Sequence, residues 1–207
     1  MAEPGAGAHA DLGRIRELGE RGLARAAESL GRMLGHPVRF AGLEIRSLGS
    51  SEPALPADAA AGFPAALRIE IRGEGSGWIL ILLSLPTVYR LLQALMGIPA
   101  EPRPLTESER SAIQEAGNIV ASSFLSELGD RWGRRVLPSA PEIHLDDAPR
   151  VVRDVFASAR DLGRDVVVQA ALEDRGWGLQ GRIFVVPAVS APAPVVRGGT
   201  GEQGDST

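Results

Sequence analysis

The sequence contains no cysteine and no lysine. Without cysteine there is no thiolate nucleophile, no thiolate zinc site and no disulfide framework. Without lysine there is no Schiff base and no Walker A loop, because both need a primary ammonium. The longest apolar run, Trp78 to Leu85, is too short to span a bilayer, and residues 1–10 (MAEPGAGAHA) lack the regions of a signal peptide. The expectation is a cytoplasmic protein with no membrane insertion. Net charge is -4 and no basic run occurs, so nothing marks a nucleic-acid surface. His9, His36 and His144 lie far apart in the chain, no ligand spacing is formed, and no metal site is expected.

What is present suits one good-sized domain, or two small halves sharing a core: 207 residues of which 44% are hydrophobic. A helix is predicted from about Asp11 to Leu34, with Leu12, Ile15, Leu18, Leu23, Ala26, Leu30 and Leu34 as its apolar stripe and Gly35 as its stop. Residues 38–48 read as extended, and the Ser/Pro/Ala/Gly-rich residues 49–64 as a mobile surface loop. Ala66 to Arg72 alternates, residues 73–77 form a turn, and Trp78 to Leu85 returns as a buried strand. Thr87 to Met96 is an amphipathic helix. Residues 73–77 are glycine-rich, but no helix opens directly after them, so they read as a turn and not as a phosphate loop.

A second long helix opens at Thr106, where Thr106 and Glu109 form a capping box. Ile113, Ala116, Val120, Phe124 and Leu128 make its apolar stripe, and Gly129 or Gly133 stops it. At about 100° per residue, Ser111, Glu115, Asn118 and Ser122 fall together on the opposite, solvent side. Then follow a strand at Glu142 to Leu145, a helix at Arg150 to Ala159, and a second hairpin made of Val166–Leu172 and Trp177–Val186. Asp146 and Asp147 beside Pro149 read as a turn or cap, and Trp78 and Trp177 as hairpin packing.

The second half repeats the first. At an offset of 98, Asp11–Ile45 aligns with Glu109–Ile143 over 35 positions without a gap and with 9 identities, among them Glu17/Glu115, Gly19/Gly117 and Ile45/Ile143. The expected fold is α+β: duplicated helix, strand and hairpin units under pseudo-twofold symmetry, with two long helices side by side on one antiparallel sheet. The predicted organisation is a flexible arm at 1–10, one domain at 11–187 with repeat halves 11–97 and 105–187, and a disordered tail at 188–207, where the composition turns to Pro, Gly, Ser and Thr.

Ser111-x3-Glu115-x2-Asn118-x22-Pro141 matches in full the Asp/Ser-x3-Glu-x2-Asn-x22-Pro signature of the CheC/CheX/FliY chemotaxis phosphatases, and the chain resembles that family over about residues 11–187. The resemblance implies a phosphatase of a phosphorylated CheY-like response regulator. Glu115 and Asn118 are then the catalytic residues: Asn118 places the attacking water and Glu115 pairs with the regulator's lysine. Ser111 and Pro141 are their supports at the rim. No cofactor of its own is implied, since Mg²⁺ comes with the phosphorylated partner. A CheD-like receptor deamidase is a further partner the resemblance suggests, and the alternative reading is a non-catalytic interaction module that binds a regulator, a CheD-like protein or a flagellar switch component. The first repeat departs from the pattern. Gly13 stands opposite Ser111, Glu20 opposite Asn118 and Leu43 opposite Pro141, and only Glu17 is kept. Glu17 reads as an ion-pair partner of Arg21 or Arg14, and a carboxylate at position 20 would repel a phosphoryl group, so one active centre is expected.

Overall fold

The computed structural model describes residues 6–47, 62–99, 101–163, 166–174 and 176–187. The chain runs α1 (Ala6–Leu34), β1 (Arg39–Ser47), β2 (Ala65–Gly73), β3 (Gly77–Leu83), α2 (Leu85–Met96), α3 (Glu107–Trp132), β4 (Val136–Pro138), β5 (Glu142–Leu145), α4 (Ala148–Asp161), β6 (Val166–Glu173) and β7 (Gln180–Pro187). The expected loop at 49–64 falls mostly on residues 48–61, which lie outside the described residues, as does the tail at 188–207. Residues 6–10, expected in an arm, belong to α1; the alanines at positions 6, 8 and 10 are strong helix formers and extend it backwards.

One antiparallel sheet takes the order β1-β6-β7-β3-β2, and β4 and β5 both pair with successive parts of β2. The pairing carries the duplication in a crossed form. Ile45 of β1 lies opposite Val168 in the second hairpin, and its repeat counterpart Ile143 of β5 lies opposite Leu67 in the first. The two hairpins meet at β3 and β7, where Leu80 pairs with Phe184 on the pseudo-twofold axis. Each half therefore completes the other half's sheet. β4 was not expected. Only three residues long, it pairs with the end of β2, and Ser139 bridges it to β5 by accepting the Glu70 N–H on its hydroxyl at 2.9 Å and donating its own N–H to the Glu70 carbonyl at 2.8 Å.

Alternation along the strands divides the core in two. Leu67, Ile69, Ile79, Ile81, Val168, Ala170, Ile183 and Val185 face the helix layer and share a core with Leu23, Ala26, Leu30, Ile113, Val120 and Phe124. Ala66, Leu80, Leu82, Val167, Phe184 and Val186 point the other way and are covered by α4 through Val151, Val152, Val155 and Phe156. The Phe156 ring meets Phe184 edge to face at 6.0 Å. The architecture thus adds a third layer to the two expected, and this explains the unbroken apolar run of β3: a strand buried on both faces has no polar side to alternate with.

The two long helices lie side by side and antiparallel. Arg25 reaches Glu127 at 3.5 Å while Glu17 reaches Arg131 at 3.6 Å, so rising numbers on α1 meet falling numbers on α3. Gly22 permits the approach, since a Cβ there would stand 2.7 Å from the Phe124 ring. Both helices stop in the same way. Gly35 and Gly133 take φ of 65° and 61°, a region open to glycine at little cost. The next N–H turns back in each case, from His36 to the Gly31 carbonyl at 3.1 Å and from Arg134 to the Gly129 carbonyl at 3.2 Å. Of the two stops open to α3 in the sequence, Gly133 is the one used.

α3 starts at the expected capping box: Thr106 Oγ1 accepts the Glu109 N–H at 3.4 Å and Glu109 Oε2 accepts the Thr106 N–H at 2.7 Å. Glu109 is only 1% exposed, and the Arg103 guanidinium grips both its oxygens. That guanidinium, with the Thr106 N–H, outweighs burial and holds the Glu109 carboxyl at about 2. The second hairpin departs from expectation, because Trp177 sits in the turn and β7 begins only at Gln180. Asp174 causes this. Its carboxylate accepts the N–H of Gly176 at 3.0 Å and that of Trp177, and bonds His36 Nε2 at 2.7 Å, while the His36 ring stacks on Trp177 at 4.7 Å. Burial opposes ionisation of Asp174, but the Gly176 N–H, the His36 ring and the Trp177 N–H together keep its carboxyl at about 2.

Two outcomes follow from this architecture. Because each half lacks a strand that only the other supplies, residues 6–99 or 101–187 alone should show no cooperative thermal unfolding by circular dichroism, and mixing the two should restore it. Because the Glu109 and Asp174 carboxyls are depressed from ordinary values of 4.5 and 3.8, the stability they confer is complete above those values and is lost as pH falls toward about 2. The melting temperature should drop across that window, and Glu109→Gln should make the drop shallower.

Candidate functional site

α3 holds Ser111, Glu115 and Asn118 on its outer side, where Ser111 and Glu115 are exposed and Asn118 is half-buried. Asn118 follows Glu115 by three residues, which places the two side chains about 60° apart and one turn along the axis. Glu115 makes no hydrogen bond or ion pair among the described residues. Among the described residues Asn118 has one partner: the Ser122 hydroxyl donates to its Oδ1 at 3.4 Å. A carboxylate and a carboxamide are thus held on a rigid helix with most of their bonding capacity free.

The inner side of the same turn explains why the helix sits where it does. Gly117, between Glu115 and Asn118, faces β2, and a Cβ there would lie 2.7 Å from Leu67 Cδ1. Pro141, the last signature residue, is buried and not a rim residue as expected. Its carbonyl accepts a hydrogen bond from Gln114 Nε2 at 2.7 Å, which ties the start of β5 to α3. The signature thus comprises three outward helix positions and a buried proline joined to the same helix through Gln114.

The first repeat keeps this frame and loses the chemistry. Gly19 faces Leu43 and Val168, as Gly117 faces Leu67. Arg16, opposite Gln114 at the offset of 98, donates to the Leu43 carbonyl at 3.3 Å, and Leu43 is the counterpart of Pro141. Yet Gly13 supplies no side chain, Glu20 is an exposed carboxylate, and Glu17 is occupied, pairing with Arg21 at 3.2 Å and with Arg131 at 3.6 Å. The counterpart of Arg131 is Met33, which offers Glu115 no charge. That difference leaves one glutamate tied and the other free.

Sequence reasoning placed Ser122 on the functional side without a role and passed over Gln114 altogether. The bond of Gln114 goes to a backbone carbonyl, which side-chain patterns do not reveal; the only trace is a polar residue at both 16 and 114. The paired aspartates lead into α4: Asp146 takes φ of 63°, and Asp147 stands at the N-cap position without a side-chain capping bond, its carboxylate instead accepting from Arg150 Nε at 2.6 Å. Among the described residues no group of three or more His, Asp or Glu side chains is placed to hold a metal ion, and no helix is long and apolar enough to cross a membrane.

A model of the CheC-like family matches residues 109–145, a span that contains the whole of Ser111 to Pro141. The CheY-P phosphatase CheC of Bacillus subtilis is 23% identical over 180 residues, covering 84% of this chain and 86% of its own. CheC1 of Halobacterium salinarum is 26% identical over 184 residues, covering 87% and 91%. These likenesses support the CheC/CheX/FliY family for this chain. FliY of Thermotoga maritima shares its fold, with a TM-score of 0.57 at 21% identity over 83% of this chain and 87% of that one. Within this CheC-like fold, the glycine that lets α3 approach the sheet should be intolerant of a side chain. Gly117→Ala should cost roughly 1–3 kcal/mol through overpacking against Leu67. Gly13→Ala, with open space around it, should instead gain up to roughly 1 kcal/mol of helix propensity. Urea denaturation of both variants checks the contrast.

Proposed function

We propose that this chain hydrolyses the aspartyl phosphate of a CheY-like response regulator, with Asn118 placing the attacking water and Glu115 holding the partner's lysine. The observation that carries the reading is the pair itself: a carboxylate without a partner among the described residues and a carboxamide with one, a turn apart on the outward side of a helix fixed to the sheet. The relatives named as CheY-P phosphatases are consistent with it.

Hydrolysis of an acyl phosphate needs a water in line with phosphorus and charge neutralised on the phosphoryl oxygens. In this reading the neutralising Mg²⁺ and lysine belong to the phosphorylated partner, and the chain supplies no metal. A neutral carboxamide can accept a hydrogen bond from the water through Oδ1 while its N–H groups donate hydrogen bonds to a phosphoryl oxygen. The water oxygen bonds to phosphorus, the bond from phosphorus to the aspartyl oxygen breaks, and the products are inorganic phosphate and a free aspartate on the regulator. Glu115, exposed and without a cation of its own, suits an ion pair across the interface. The first repeat, with Glu20 in place of the amide, contributes no second centre.

Steady-state dephosphorylation of a phosphorylated regulator, together with its affinity, tests this. Asn118→Ala should lower the rate roughly a hundredfold or more while binding persists, because the amide acts only in the chemical step. Glu115→Ala should weaken binding as well as turnover, with a loss that shrinks as salt is raised, and Glu20→Ala should leave both unchanged. Full activity in Asn118→Ala would remove the catalytic reading and leave a non-catalytic module that binds a regulator, a CheD-like protein or a flagellar switch component. The first repeat favours keeping that second reading in view, since there the same frame persists without the chemistry.

A further inference from the structure

We propose that Ser122 is a positioning residue for Asn118, fixing which end of the carboxamide meets the water; the inference rests on the phosphatase reading above and goes beyond the four signature positions. Ser122 lies one turn beyond Asn118 on α3, half-buried like it, and its Oγ donates to Asn118 Oδ1 at 3.4 Å. A serine inside a helix ordinarily turns its hydroxyl back to the carbonyl of its own turn. Here it holds a side chain.

The chemistry gives that bond a consequence. The two ends of a carboxamide are close in shape, and rotation about its last torsion exchanges acceptor for donor. With the Ser122 proton on Oδ1, one lone pair of that oxygen remains for the water, and both N–H bonds remain for the phosphoryl group. Without it, the amide spends part of its time turned the wrong way, which slows the chemical step without touching the surface that binds the regulator.

The duplication supplies an independent reason to separate this bond from mere helix packing. The tie from helix to strand is present twice, as Gln114 to Pro141 and as Arg16 to Leu43, and so belongs to the frame. The pair of Ser122 and Asn118 is present once. At the corresponding places stand Ala24 and Glu20, so the hydroxyl and the amide differ together between the two halves. Ala24 also shows that the frame accommodates a methyl side chain at this position.

The test uses the full chain and a CheY-like response regulator phosphorylated with acetyl phosphate. Ser122→Ala should lower kcat roughly three- to tenfold, as expected for the loss of one neutral hydrogen bond, with KM and melting temperature unchanged. Ser122→Thr, which keeps the hydroxyl, should restore kcat. Combining Ser122→Ala with Asn118→Ala should give no lower rate than Asn118→Ala alone, because the serine acts only through the amide. Wild-type kcat in Ser122→Ala, or a double variant slower than Asn118→Ala, would overturn the assignment while leaving the phosphatase reading intact. Full activity in Asn118→Ala would instead overturn both.

Discussion

Everything else in this fold depends on the exchange of first strands between the two halves. A lone two-stranded hairpin is marginal in water, and each hairpin here gains a neighbour from the opposite repeat: β1 adds to β6, and β5 adds to β2. With β3 and β7 joined at the centre, the sheet cannot be divided without leaving backbone groups unpaired on both sides. The helices inherit their places from this. α1 leads into β1 and α3 leads by way of β4 into β5, so crossing the strands brings the two helices together over one core, antiparallel and with their outer sides free.

The duplication also separates what the frame needs from what the chemistry needs, because one chain contains both versions. Glycine ends at 35 and 133, close approaches at Gly19 and Gly117, and ties at Arg16 and Gln114 occur in both halves. These are backbone requirements. Where the halves differ, the side chains decide. Gly22 receives the Phe124 ring, and the residues at the matching positions are Val120 and Ala26, so large and small side chains are distributed differently in the two halves. The same freedom gives Glu17 two arginines and, among the described residues, Glu115 none.

Much of this was legible in the residues because it is local. The Thr106 and Glu109 cap, the glycine stops, the alternation of Ala66 to Arg72 and the amphipathic helices all depend on neighbours within a few positions. Three features were not legible, each for a stated reason. β4 is too short to carry a pattern. Trp177 reads as strand by composition, but the carboxylate of Asp174 and the ring of His36, far away in the chain, hold it in the turn. α4 shows its apolar stripe in sequence, yet which face of the sheet receives that stripe is invisible until the strands are ordered.

By itself, then, the sequence determined the elements, the duplication and the outward grouping of Ser111, Glu115 and Asn118, since helical spacing alone puts those three on one side. Only the tertiary structure decided that the halves exchange strands, that Pro141 is buried and tied to Gln114, and that Glu115 lacks the arginine that occupies Glu17. Those outcomes rest on contacts between residues far apart in the chain. Periodicity reports which side of a helix is apolar, but not what will stand opposite the polar side.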